Sequence, residues 1–223
     1  MQVFGQIQIA IRQVNPAKVR KEAAKPLGAV LGGPPWDVGG ILEEYPDLSL
    51  ALARSLPEFR RPVIEAIIRK VSRENALFAL FTALPDAIPS IFEVGWAAGE
   101  FASDTAVLTV NQIRMAFLIA AASGQEVGFN AQKRQIGAII AAGFGWRALA
   151  RELAGKIPFG EGLIPKAAIA YAGTYVAGLG LERYYAMGGA MTAAMREAAY
   201  EKAVEGGKQF AQWVLRRKHP ACP

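Results

Sequence analysis

The chain has 223 residues, of which 52% are hydrophobic and 20% are charged, and its formal net charge is +6. This apolar fraction is higher than an ordinary soluble domain needs. The only cysteine, Cys222, excludes a disulfide framework, and the N-terminal segment lacks the basic and apolar regions of a signal peptide. We therefore expect a protein of the cytoplasm or of the cytoplasmic face of the inner membrane.

The charges are distributed unevenly along the chain. Residues 1–75 carry 11 basic and 8 acidic side chains, residues 76–195 carry 8 of each, and residues 196–223 carry 6 and 3. A neutral apolar middle with basic ends matches anionic lipid head groups better than nucleic acid, because these ends lack aromatic residues interleaved over a defined fold. The predicted partner is a membrane surface or bilayer, and no nucleic acid is expected.

Residues 1–75 are predicted to form a helical N-terminal extension. Apolar residues at helical spacing predict an amphipathic helix over Phe4–Val14, and an alternating strand pattern over Val3–Ile11 is the alternative. Asn15 and Pro16 are typical of an N-cap and a first helical residue, so a second helix is expected to begin there.

A segment rich in glycine and proline, Leu31–Ile41, follows this second helix. It lacks the Gly-Lys-Ser/Thr sequence of a phosphate loop, so it predicts a plain loop that includes Gly39 and Gly40. Beyond the loop, Pro46–Leu56 and Pro62–Ser72 each predict a short helix opened by proline.

Residues 76–195 are predicted to form an apolar helical core domain. Its helices are expected over Asp104–Gly124, Lys133–Lys156 and Pro165–Tyr185, and the pair Gly188–Gly189 is expected to break the last of them. No segment has a convincing strand pattern. The predicted fold is all-α, a multi-helix bundle of apolar, Ala/Gly-rich helices with a helical N-terminal extension.

Residues 196–223 are predicted to form a basic amphipathic C-terminal helix and tail. The helix is expected over Met191–Lys218, with Phe210 and Trp213 among the residues of its apolar face. The pair Gly206–Gly207 is expected to weaken its middle.

The longest uncharged run of the chain, Ala167–Leu181, is rich in small residues. At 15 residues it is shorter than the roughly 20 that a spanning helix needs. Gly173, Ala177 and Gly180 lie on one helical face, and we predict that they form a close helix–helix contact. Spacing alone does not decide whether that contact forms in a membrane or in a bundle surrounded by water.

Acidic side chains cluster in sequence near the start of the core, at Asp86, Glu93, Glu100 and Asp104. Buried charges have to be paired, so we expect these acids to pair with basic residues of the core such as Arg114, Arg147, Arg151 or Lys166. A proton-handling cluster is the alternative, since Glu93 and Glu100 share a helical face.

Sequence signatures of catalysis are missing. The Gly-x-Ser-x-Gly nucleophile motif is absent, and the only histidine, His219, lies in the terminal tail beside Cys222. Two ligands in a tail are too few for a metal site. We therefore predict a protein that is not an enzyme and has no cofactor and no metal ion.

Five short motifs in the core occur in an order that resembles a known bacterial family. They lie at Pro85–Pro89, Gln112–Met115, Ala150–Leu153, Lys156–Gly160 and Ala170–Gly178. Together they resemble the domain of unknown function 697, also called YcjF-like, over about half of the chain. The resemblance implies a helical, membrane-associated module that is often fused to a GTPase or encoded beside one. Because this chain has no competent GTP site, any GTPase is expected to be a separate partner.

The predicted function is that of a non-catalytic, membrane-associated helical module that recruits or regulates a partner such as a GTPase. The alternative is a structural helical bundle, soluble or self-assembling, without membrane contact. A homo-oligomer is compatible with either hypothesis.

Overall fold

The described residues form helices joined by turns, and this all-α fold confirms the predicted fold class. The computed structural model describes residues 14–27, 37–82, 104–139 and 163–218, and these ranges contain no strand. In chain order the helices are α1 (Pro16–Ala23), α2 (Val38–Glu44), a 3₁₀ turn (Pro46–Leu48), α3 (Ser49–Ser55), α4 (Pro57–Phe81), α5 (Asp104–Ala122), α6 (helical at 133–139), α7 (Leu163–Met187) and α8 (Ala193–Lys218).

The start of α1 is confirmed in detail. The side chain of Asn15 accepts hydrogen bonds from the backbone N–H groups of Ala17 at 2.9 Å and Lys18 at 3.3 Å. Pro16 occupies the first helical position, where its missing N–H costs nothing. The predicted helix over Phe4–Val14 lies outside the described residues, apart from Val14 itself.

Two glycines that were predicted to lie in a loop are helical. Gly39 and Gly40 belong to the first turn of α2, where the Asp37 side chain accepts from the Gly40 N–H at 3.1 Å. The prediction was wrong here because an aspartate N-cap satisfies an otherwise unpaired donor and offsets the poor helix propensity of glycine.

Helix α4 is much longer than the sequence predicts. A short helix was expected over Pro62–Ser72, but α4 begins at Pro57 and continues through Pro62 to Phe81. Pro62 lies in the second turn, so it removes a single hydrogen bond, the one that its N–H would donate to Glu58. The buried residues of α4 continue well beyond Ser72, and their packing outweighs this loss.

Glycine ends α5 and α7 as predicted. Gly124 has φ of +75°, and the N–H groups of Gly124 and Gln125 donate to the carbonyls of Ala121 at 3.0 Å and Ala120 at 2.9 Å. This is the Schellman arrangement, which needs a left-handed residue at that position. Gly188 likewise has φ of +70° and separates α7 from α8.

Helix α7 lies at the centre of the arrangement and packs against α4, α5 and α8. One hydrophobic cluster joins α7 to α1, α3, α4 and α5, and a second joins α4, α7 and α8. Helix α4 runs without interruption across residues 75 and 76, where the sequence predicts a domain boundary. Helix α8 is also continuous through Gly206 and Gly207, so the predicted weakness is not seen there.

The predicted apolar face of α8 needs one correction. Ala203 and Val214 are buried and Phe210 is partly buried, but the side chain of Trp213 is 49% exposed. Among the described residues, no helix combines the length and hydropathy required to cross a bilayer.

Candidate functional site

Four polar side chains form a hydrogen-bonded network where α4, α5 and α7 meet. Asn75 on α4 is completely buried. Its Nδ2 donates to Thr174 Oγ1 at 2.8 Å, and its Oδ1 accepts from Asn111 Nδ2 at 2.8 Å. Gln112 Nε2 donates to the same Thr174 oxygen at 3.3 Å, and the Thr174 hydroxyl donates to the Ala170 carbonyl at 2.8 Å.

This amide network is suited to fixing the packing of the helices and not to catalysis. Amides and a threonine hydroxyl provide neither a base nor an activated nucleophile. Paired across three helices, they fix the relative register of those helices, because any slip would leave buried donors unsatisfied. The network was not predicted from the sequence, although Asn111 and Gln112 are adjacent polar residues in the middle of an apolar helix.

Arg114 lies one turn beyond the network and forms an ion pair with Glu74 of α4. The prediction instead paired Arg114 with acids near the start of the core. Three of the predicted acids, Asp86, Glu93 and Glu100, lie outside the described residues. Two of their predicted partners, Arg147 and Arg151, also lie outside them. Asp104 begins α5, and Lys166 Nζ donates to Thr82 Oγ1 at 3.4 Å.

The predicted small-residue contact involves three positions of α7. Gly173 is buried and Ala177 is partly buried against the larger hydrophobic cluster. A Cβ added at Gly180 would meet only the flexible Sδ of Met191, at 3.9 Å. A close contact formed by all three positions stays a prediction.

Two other glycines mark the places where helices approach most closely. A Cβ built at Gly178 would lie 2.7 Å from Ile68 Cγ1 on α4. A Cβ built at Gly207 would lie 2.8 Å from Ala168 Cα and 2.9 Å from Tyr171 Cβ on α7. A Cβ at either position would force its neighbours to move, and the cost is higher at Gly207, where the neighbours include backbone atoms of α7. This close approach accounts for the second glycine of the pair in α8, whereas a Cβ at Gly206 would make only an ordinary contact with Tyr171, at 3.8 Å.

A groove of about 680 Å³ runs between α4 and α8. One wall belongs to α4 and carries the exposed cations Arg69, Lys70 and Arg73. The other wall belongs to α8 and includes Phe210 and Trp213. The groove therefore combines a cationic wall with an aromatic wall, and its volume falls in the range of about 300–1,000 Å³ typical of ligand sites.

Two aromatic rings beside this groove are flanked by arginines, one at each end. The guanidinium carbon of Arg73 lies 5.7 Å from the centre of the Phe210 ring, and that of Arg217 lies 4.2 Å from the Trp213 ring. The two rings stack on each other, with centres 6.0 Å apart. We call Arg73, Phe210, Trp213 and Arg217 the cation–aromatic row. Such contacts hold the rings in place while Trp213 remains half exposed.

The acids that line the groove are already paired. Glu65 accepts from Arg69 at 2.7 Å and from Arg61 at 3.2 Å, and Glu74 pairs with Arg114. In the described part of the chain, neither Lys70 nor Arg73 has a carboxylate within ion-pair distance. The groove thus presents two cations without a carboxylate partner, in addition to the excess positive charge of the two arginines that share Glu65.

Two groups near the groove have altered acidity. Burial raises the pKa of Glu182 on α7, the neighbouring Glu65 carboxylate raises it further, and Arg61 partly opposes both. Burial also raises the pKa of Tyr171, beneath the Phe210 ring, and the charge of Arg73 opposes this rise. In both groups the largest cause is their own burial, which disfavours the charged form.

A second cavity, of about 400 Å³, lies between the α5–α6 connection and the end of α7. Its lining includes Gln132, Gln135 and Tyr185. Burial is the main cause that raises the pKa of Tyr185 to about 12, and the neighbouring Gln132 side chain partly opposes this rise. Beside it, Met187 is 71% exposed at the corner between α7 and α8.

Within the described ranges, no three His, Cys, Asp or Glu side chains lie close enough together to hold a metal ion. Comparison with models of protein families, with curated proteins and with solved structures gave no match. The family resemblance of the core motifs therefore remains a prediction.

Proposed function

We propose that this protein is a non-catalytic helical module that binds an anionic membrane surface through the face formed by α8 and the adjoining side of α4. The observation that carries the proposal is the cation–aromatic row with its half-exposed Trp213. Tryptophan with neighbouring arginine is typical of side chains that lie at a membrane–water interface, because one end is apolar and the other is polar.

Charge supports the same orientation. Lys70, Arg73 and Arg217 lie on or beside the groove, and Lys202 lies three turns before Trp213 on the same face of α8. Each basic residue held near an anionic surface contributes about 1 kcal/mol of attraction. A set of this size gives reversible, peripheral binding, to which burial of the Trp213 ring adds an apolar component.

The proposed role at the membrane is to recruit or regulate a partner. Only the resemblance of the core motifs supports a GTPase as that partner. The packing of the helices is compatible with such a role. The buried amide network and the closely packed glycines hold α4, α5, α7 and α8 in a fixed arrangement, so the surface offered to a partner stays the same.

Sedimentation with vesicles tests this proposal. The full chain is mixed with vesicles of phosphatidylcholine alone and with vesicles that also contain phosphatidylglycerol. We expect binding to the anionic vesicles, weak binding to the neutral ones, and partial release by high salt, because salt screens exposed charges. Equal recovery with both vesicle types, or a protein that stays in the supernatant with both, would contradict the proposal.

A second candidate function is a self-assembling structural bundle. The observation that favours it is the apolar corner between α7 and α8, where Tyr184, Met187 and Met195 are exposed. Methionine-rich surfaces adapt to apolar partners, including another copy of the same chain. Sedimentation equilibrium of the native chain and of a Met187→Lys variant separates the two candidates. Assembly that is lost in the variant, together with no vesicle binding, would favour the bundle.

A further inference from the structure

We propose that the groove between α4 and α8 binds the head group of one anionic phospholipid, with the first part of its acyl chains against the aromatic wall. This inference rests on the proposed membrane function and adds a specific site to it. A membrane surface attracts any exposed cation, whereas a groove with matched walls selects one molecule from that surface.

The positive charge of the groove favours an anionic ligand. Glu74 pairs with one arginine and Glu65 is shared by two, so the groove keeps a net positive charge, to which Lys70 and Arg73 contribute the two cations that have no carboxylate partner. These two side chains are three residues apart on α4 and therefore lie on one face of it. A phosphate group placed between them gains charge-assisted hydrogen bonds from an ammonium and a guanidinium.

The aromatic wall on α8 favours a ligand that also carries an apolar group. Phe210 and Trp213 present stacked rings to the groove, and Leu77 continues the apolar surface on the α4 side. A free phosphate would leave these rings exposed to water, and a purely apolar ligand would leave Lys70 and Arg73 without a partner. An amphiphile whose anionic and apolar parts are adjacent satisfies both walls.

The position of the groove favours a lipid over an acidic peptide or a nucleic acid. Trp213 lines the groove and is also the exposed ring of the proposed membrane face, so the groove opens towards the surface on which phospholipids are presented. The aromatic wall is supplied by two stacked rings at one place, which suits acyl methylenes better than the successive bases of an extended strand.

Titration with a soluble short-chain phosphatidylglycerol, kept below its micelle concentration, tests the site on the full chain. We expect saturable binding, followed by calorimetry, and weaker binding of the matching short-chain phosphatidylcholine. Lys70→Gln and Arg73→Gln should each weaken the affinity about tenfold, which corresponds to the loss of one charge-assisted contact. Melting curves of both variants, followed by circular dichroism, check that the fold is unchanged.

Lys202→Gln is the matched control. It removes the same charge from the same membrane-facing side, but Lys202 does not line the groove. It should therefore reduce vesicle binding about as much as Lys70→Gln does and leave the affinity for the short-chain lipid unchanged. Equal effects of both variants on short-chain lipid binding would overturn the proposed site.

The remaining outcomes are separable. Vesicle binding without short-chain lipid binding overturns the groove site and leaves the proposed function standing. Short-chain lipid binding without vesicle binding supports the site and overturns the membrane function. Inorganic phosphate, polyglutamate or a single-stranded oligonucleotide that binds as tightly as the lipid, and with the same dependence on Lys70 and Arg73, would overturn the assignment of the ligand.

Discussion

At the scale of single residues, the buried side chain of Asn75 joins three helices. Its amide bonds to Thr174 on α7 and to Asn111 on α5 while it lies on α4. A buried amide in this position adds little net stability when its partners are satisfied, but its removal is costly because those partners stay buried. Such a residue stabilises one helix register against its alternatives.

Asn75→Ala should lower the free energy of unfolding by about 2–4 kcal/mol, because it creates a cavity and leaves buried groups of Thr174 and Asn111 unpaired. Urea denaturation measures the change. Ser72→Ala is the control on the same helix, since the buried Ser72 hydroxyl has no hydrogen-bond partner to lose. Similar losses in the two variants would show that burial alone, and not the network, sets the cost.

Glu182 gives a prediction about pH. Its pKa is raised above the ordinary value of 4.5, chiefly by burial, so the native state holds this proton at a pH where the unfolded chain has released it. The contribution of Glu182 to stability is therefore greatest at acidic pH. It falls as the pH rises from about the unfolded pKa to the native pKa, and is constant above that.

Glu182→Gln should remove the loss of stability that the native chain shows as the pH rises, because glutamine does not titrate. The variant should be more stable than the native chain at neutral pH, and the difference should shrink as the pH is lowered towards the ordinary carboxyl range. Thermal melting across pH measures it, with Glu197→Gln, at an exposed position of α8, as the control. A difference that grows on acidification would show that the carboxylate is stabilised in the folded protein.

At the scale of helices, local signals in the sequence predict where a helix begins and ends when the signal acts on its own backbone. Asn15 and Pro16, Gly124 and Gly188 are such cases, and all three boundaries were predicted. Pro62 and the pair Gly206–Gly207 are different, because the packing of α4 and α8 against α7 outweighs a weak local preference. Tertiary contacts of that kind are not visible in the sequence of one helix.

The adjacent glycines of α8 provide an internal comparison. Gly207→Ala should destabilise the protein by about 1–3 kcal/mol, because the new methyl group would collide with the backbone and Cβ atoms of α7. Gly206→Ala places its methyl group 3.8 Å from Tyr171, an ordinary contact, and should stabilise α8 by up to about 1 kcal/mol. Thermal unfolding of both variants tests this; equal effects would refute close packing at Gly207.

At the scale of the whole molecule, the candidate site was less predictable than the fold. The basic C-terminal helix was predicted from the sequence, but Trp213 was assigned to its apolar face without the expectation that half of it would be exposed. Lys70 and Arg73 were not predicted to be site residues. They lie about 140 residues from Trp213 in the chain and come to line the same groove only because α4 and α8 pack together. Helix periodicity predicts a face of one helix, whereas a groove depends on the relative rotation of two helices.

The face formed by α8 and the adjoining side of α4 is proposed to contact the membrane. Fluorescence quenching by anionic vesicles whose acyl chains carry bromine tests this assignment most directly, since bromine quenches tryptophan that enters the acyl region. The chain has four tryptophans, so the native protein is compared with Trp213→Phe to isolate the signal of Trp213. We predict that Trp213 is quenched by brominated anionic vesicles and is unaffected by neutral ones; vesicle-bound protein in which Trp213 is not quenched would contradict the account.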